Sequence, residues 1–148
     1  MLRIREFPAR AALGPLMVPP SSSTKVYMDG LKAGILSLQR CASCARLRYP
    51  IAPVCPHCAS LSFDWAPSAG TGVVVSWVRY PRSYLPEFAA LVPYVVLCVE
   101  LAEGVRIFGR LVDRDVEPRI GMKVQTIIER WTDDDGHAPA FTRAIEAN

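Results

Sequence analysis

The chain has 148 residues, 51% of them hydrophobic and 21% charged. Such a composition folds, and its length suits one compact domain, or a small metal module joined to a modest one, and leaves no room for two full cores. The formal charge of +3 comes from fourteen arginines and three lysines scattered without a polybasic block, the pattern of a solvated surface and not of a nucleic-acid footprint.

No run of the sequence reaches the roughly 18 uninterrupted apolar residues that a spanning helix needs, so no membrane segment is expected. Residues 1–24 carry Pro8, Pro15, Pro19 and Pro20 and fit a signal peptide poorly. They are expected to form a flexible proline-rich arm on a cytoplasmic protein. Val26, Leu31 and Ile35 then recur at helical spacing, predicting a helix over about 24–33 that Gly34 closes. The alternation in "ILSLQR" predicts a strand leading into a metal loop, and helix and loop together form a module over 25–62.

Four of the five cysteines lie in "CASC" (41–44) and "CPHC" (55–58), separated by ten residues. Two C-x2-C turns can aim four sulfurs at one point, and zinc takes four such ligands as a tetrahedron. In a reducing compartment, metal ligation is favoured over two disulfides; a rubredoxin-type iron or redox role is the remaining alternative. With Cys41, Cys44, Cys55 and Cys58 as ligands no position stays open, so the ion would be structural. His57 is read as exposed and not as a ligand. Ala45 and Ala59 stand where such turns often place glycine, and an alanine held at positive φ costs roughly 1–2 kcal/mol.

From residue 63 onward the reading is β. The runs 72–80, 94–101, 105–112, 123–131 and 138–144 are rich in β-branched and aromatic residues and separated by turn signals, with "AEG" at 102–104 as a tight hairpin. Five short strands over 63–148 match a small, partly open Greek-key barrel of the OB type, giving a mainly β chain overall. Cys98 is read as a free, half-buried core thiol, with no histidine placed to activate it. His137 belongs to an acidic loop, and Asp133, Asp134 and Asp135 mark a solvated hairpin tip. The long segment 79–93 mixes arginines with Tyr80, Tyr84 and Phe88; it either makes contacts with a ligand or partner or folds over the barrel's own end.

No nucleophile elbow, P-loop, dinucleotide fingerprint or H-E-x-x-H motif is present. The ordered series "LQRCASC…YP…CPHC…W…GTGVVVSW…PYVVLCVELAEGVRIFGRLV…IGMKV" resembles the acyl-CoA-associated zinc-ribbon/OB-fold family known as domain of unknown function thirty-five, over about residues 26–144. The resemblance implies a rubredoxin-like zinc ribbon, ligated by Cys41, Cys44, Cys55 and Cys58, followed by a five-stranded OB-fold barrel. It also implies work as a non-catalytic accessory subunit in a hetero-oligomer. The partner would be a thiolase-like enzyme (a thiolase, an acyltransferase or a steroid side-chain aldolase) that owns the chemistry, while this chain helps to bind acyl-CoA. Trp77, Arg79 and Arg82 are candidates for that contact on chemical grounds, an aromatic for adenine and cations for phosphate. The alternative is a single-stranded nucleic-acid module, against which Glu100, Glu103, Asp113, Asp115, Glu117 and Glu129 interrupt any basic groove.

Overall fold

The computed structural model describes residues 1–8, 22–84, 86–131 and 136–144. It opens with a short strand, β1 (Ile4–Glu6), followed by the helix α1 (Ser22–Lys32). Gly34, at φ +77°, closes α1 through two bonds, Gly34 N–H to the Leu31 carbonyl (3.0 Å) and Ile35 N–H to the Gly30 carbonyl (2.8 Å). Glycine is required there twice over, because a Cβ would also lie 2.9 Å from the Leu2 carbonyl oxygen. The buried face of α1 differs from expectation. Tyr27 and Leu31, four apart, face the core, while Val26 and Ile35 are exposed.

Next comes a three-stranded antiparallel sheet in the order β3-β2-β4, built from β2 (Ser37–Cys41), β3 (Leu47–Arg48) and β4 (Phe63–Pro67). Because β4 pairs with β2 along its whole length, this ribbon sheet runs to residue 67, past the expected boundary at 62. Neither β3 nor β4 shows in the sequence pattern: two residues carry no period, and in "FDWAP" the alternation of Phe63, Asp64 and Trp65 stops at Ala66 and Pro67.

The remaining strands are β5 (Thr71–Tyr80), β6 (Tyr94–Leu101), β7 (Arg106–Leu111), β8 (Lys123–Arg130) and β9 (His137–Arg143). They close as β8-β5-β6-β7-β9-β8, with β7–β9 parallel and the other pairs antiparallel, which is a closed five-stranded OB barrel. Val95, Leu97, Val99 and Leu101 point inward as their alternation requires, against Val74, Ile107, Val124, Ile128 and Phe141. Leu31, Leu36 and Leu38 belong to the same buried cluster, so helix, ribbon and barrel share one core. Gly72 allows β5 and β6 to approach closely, since a Cβ there would meet the Glu100 carbonyl oxygen at 2.6 Å.

Two features of the barrel's exterior depart from the sequence reading. The first eight residues are not part of a loose arm: β1 pairs in parallel with residues 128–130 of β8, and Phe7 is buried and stacked on Trp131 with centroids 4.6 Å apart. Residues 9–21 of the expected arm lie outside the described residues, as do Asp133, Asp134 and Asp135 of the expected hairpin tip. The long segment after β5 folds back as a 3-10 helix, Pro86–Leu91, whose Phe88 packs on Phe7, Trp131 and Tyr94. His137, expected in a loop, is instead the buried first residue of β9. Beneath the aromatic layer, Arg110 and Glu129 form a bidentate ion pair, one bond from Arg110 Nε to Glu129 Oε2 (3.2 Å) and one from Nη2 to Oε1. The two side chains meet across β9, where their register partners Ala138 and Ala140 leave room. Cys98 is a buried free thiol on the outer side of β6.

Candidate metal centre and barrel mouth

The two C-x2-C turns are copies of one loop. In each, the N–H of the first cysteine bonds the carbonyl five residues on (Cys41 to Arg46, 3.0 Å; Cys55 to Ser60, 2.9 Å). In each, the alanine after the second cysteine bonds back to the first cysteine's carbonyl at 2.9 Å. Ala45 and Ala59 both have φ +59°, the left-handed conformation that turns the chain back so that the next residue's carbonyl reaches the first cysteine's N–H. The positions that carry glycine in many such turns therefore adopt the geometry glycine would favour, here with a methyl group. Ser43 Oγ–H donates to Ser60 Oγ (2.9 Å) and Arg46 Nη1 contacts His57 Nδ1 (2.7 Å), holding one turn to the other at the surface.

All four sulfurs lie within 4.8 Å of one another, with Cys41 to Cys58 at 3.5 Å and Cys44 to Cys55 at 3.7 Å. A zinc tetrahedron with Zn–S of about 2.3 Å has edges of about 3.8 Å, so the set has the size for that ion. Disulfides, at about 2.05 Å, are not formed, and the cysteines are free thiols. The Cys44 and Ser43 backbone N–H groups hold the Cys41 thiol down to about 6 against the effect of burial. The His57 and Cys58 N–H groups lower Cys55 in the same way. Cys58 goes the other way, to about 12: the Ser60 N–H favours its thiolate, but the sulfurs of Cys41, Cys44 and Cys55 and burial outweigh that bond. Turns whose amides stabilise thiolates, yet whose sulfurs repel a full set of charges, are completed by a divalent cation. His57 is exposed and outside the sulfur cluster, as its position in the second turn predicted.

Sequence reasoning passed over the layer beneath this centre. Arg48 is 5% exposed and Gln39 1% exposed, paired across β2 and β3. Gln39 Oε1 accepts from Arg48 Nε (3.0 Å) and from the Ala52 N–H (2.9 Å), while Arg48 Nη2 donates to the Ala52 carbonyl (3.0 Å) and its guanidinium lies 5.2 Å over the Phe63 ring. Nothing linear marks these residues, because they are joined by strand register.

The three residues proposed for acyl-CoA lie along β5 and its exit. Trp77 is 38% exposed. Arg79 donates to Glu117 (2.6 Å), and Arg82 is exposed beyond the strand. Arg79, Arg110 and Arg114 converge with Leu91, Tyr94 and Leu111 on a cleft of about 30 Å³ at the barrel mouth. That volume takes one or two waters, well below the ~300–1,000 Å³ of a ligand pocket. Close by, Val78 and Phe108 are exposed on the outer face of β5 and β7, flanking Val96 and Cys98 of β6. Among the described residues, no helix is long and apolar enough to cross a membrane.

Comparison with known proteins agrees with this architecture. Residues 28–64 match the family model described as "ChsH2, rubredoxin-like zinc ribbon domain", and residues 65–127 match "ChsH2, C-terminal OB-fold domain". A "Probable enoyl-CoA hydratase alpha subunit" of Thermomonospora curvata is 43% identical over 122 residues; the match takes in 80% of this chain and 37% of that subunit. The chain thus spans little more than a third of that curated relative. A "DUF35 domain-containing scaffold protein" of Methanocaldococcus jannaschii is 31% identical, with 64% of this chain aligned to 68% of that one. In the solved "Ltp2-ChsH2(DUF35) aldolase", one chain superposes with a TM-score of 0.73 at 34% identity, covering 88% of this chain and 100% of that chain. From the two turns of the ribbon to the closure of the barrel, the chain belongs to the DUF35 family of ChsH2-type zinc-ribbon and OB-fold proteins.

Proposed function

We propose that the chain is a non-catalytic accessory subunit of an acyl-CoA enzyme complex, docking on a thiolase-like catalytic subunit and helping to bind acyl-CoA. The observation that carries this reading is the match, over 88% of this chain and all of that chain, to the solved "Ltp2-ChsH2(DUF35) aldolase". Relatives named as a hydratase alpha subunit and as a scaffold protein point the same way. In this role zinc would be held by Cys41, Cys44, Cys55 and Cys58 and would be structural, joining the two turns and supplying folding energy to the ribbon. The cleft beside Arg79 is too small to enclose a CoA moiety, which fits a ligand site completed by a second protein. Trp77 would stack on the adenine, with Arg79 and Arg82 on the phosphates. Val78 and Phe108 supply an apolar surface of the kind that interfaces bury.

The test is purification of the tagged chain from its own cells, with the bound proteins identified by mass spectrometry and acyl-CoA affinity measured with and without them. A larger thiolase-like protein is expected in stoichiometric amount, with acyl-CoA bound by the pair more tightly than by this chain. Turnover of an acyl-CoA by the isolated chain would overturn the reading. So would a salt-dependent shift of single-stranded oligonucleotides at micromolar protein, the mark of the nucleic-acid alternative.

A further inference from the structure

Between residues 33 and 67 the ribbon carries Arg40, Arg46 and Arg48 against a single acid, Asp64. Cysteines aside, these side chains sum to two positive charges, and zinc with four thiolates carries two negative ones. Position decides which arginine matters. Arg40 and Arg46 are exposed and screened by water, and Asp64 pairs in register with Arg40. Arg48 is buried and has no carboxylate partner among the described residues. It shares one face of the ribbon sheet with a ligand: Gln39 and Cys41 are two apart on β2, Arg48 is the register partner of Gln39, and Phe63 that of Cys41. The Phe63 ring, with Arg48 above it, thus lies directly beside a metal ligand.

The hydrogen bonds to Gln39 and Ala52 fix the orientation of the guanidinium but do not neutralise it. Arg48 Nη1 and Gln39 Nε2 are also buried donors with no acceptor among the described residues. Excess donors and an uncompensated cation in one small layer are costly unless an anion lies next to them. Among the described residues, the candidate on that face is the metal–thiolate group.

We infer that Arg48 is the buried counter-charge of the metal–thiolate centre and sets how tightly the centre holds its ion. The inference rests on the reading of the four cysteines as zinc ligands, but not on any partner or substrate. Its test is zinc affinity by competition with a chromogenic chelator, on the full-length chain. R48M, which keeps the bulk and loses the charge, is expected to weaken zinc binding about 10–100-fold. R48K, which keeps the charge and loses the fork, should retain most of the affinity. Q39E places a carboxylate against Arg48 and should weaken zinc binding with the arginine still present, while R40Q on the opposite face should change nothing. Wild-type affinity in R48M overturns the inference, as does a loss in R48K equal to that in R48M, which would assign the effect to hydrogen bonds and not to charge. Should R48M fail to fold, unchanged affinity in Q39E overturns it. A wild-type chain that takes up no zinc overturns the ligand assignment and the inference together, and the wild-type titration alone separates that failure from the others.

Discussion

Ala45 and Ala59 hold φ at +59° in the two turns that carry the ligands. Each accepts a strain of roughly 1–2 kcal/mol, less the entropy that glycine would add to the unfolded chain. A59G is therefore expected to stabilise the metal-loaded protein by about 0.5–1 kcal/mol, read as a shift in urea midpoint at constant m-value; an unchanged or lowered midpoint would contradict the strain. The need for this conformation is legible from the C-x2-C spacing, because it follows from a local loop. The Arg110–Glu129 pair is not legible, since its members come from strands that touch only through β9. E129Q leaves Arg110 buried without its charge partner and should cost about 3–5 kcal/mol by chemical denaturation, far above the effect of an exposed pair such as Lys25–Asp29.

At the scale of elements, the five barrel strands were readable because each needs several alternating residues to fill the inner face. Two-residue β3 is specified by the turn it leaves, and β1 by an edge of β8 that β5 does not reach: β5 pairs with β8 only at residues 71–73. The bulge between Val74 and Ser76 shifts the alternation of β5, so Trp77 and Arg79 fall opposite the inward residues Leu97 and Val95. Ribbon and barrel are separate in sequence pattern but not in packing, since Leu36 and Leu38 lie in the barrel's core cluster. Metal removal by a strong chelator should accordingly lower the unfolding temperature of the whole chain and also erase ribbon structure in circular dichroism. A barrel transition at an unchanged temperature would show the two to be independent.

For the whole molecule, the outer face of β5, β6 and β7 presents Val78 and Phe108 at 46% and 64% exposure. Carboxylates at these exposed positions should alter the fold's stability by less than about 0.5 kcal/mol. If this face meets the proposed catalytic subunit, V78E/F108E should reduce copurification with it by about tenfold or more while zinc content and the unfolding midpoint stay at wild-type values. Undiminished copurification would move the docking surface elsewhere on the chain.

What the amino-acid sequence settled by itself was whatever depends on near neighbours: the paired cysteine turns, the glycine that closes α1, the hairpin at 102–104 and the alternation of the barrel strands. Tertiary structure decided the rest. The parallel β1, the closure of the barrel through β8 and β9, the ion pair across β9 and the buried Arg48 beside Cys41 join residues far apart in the chain. Such contacts depend on register and burial, which no local period encodes.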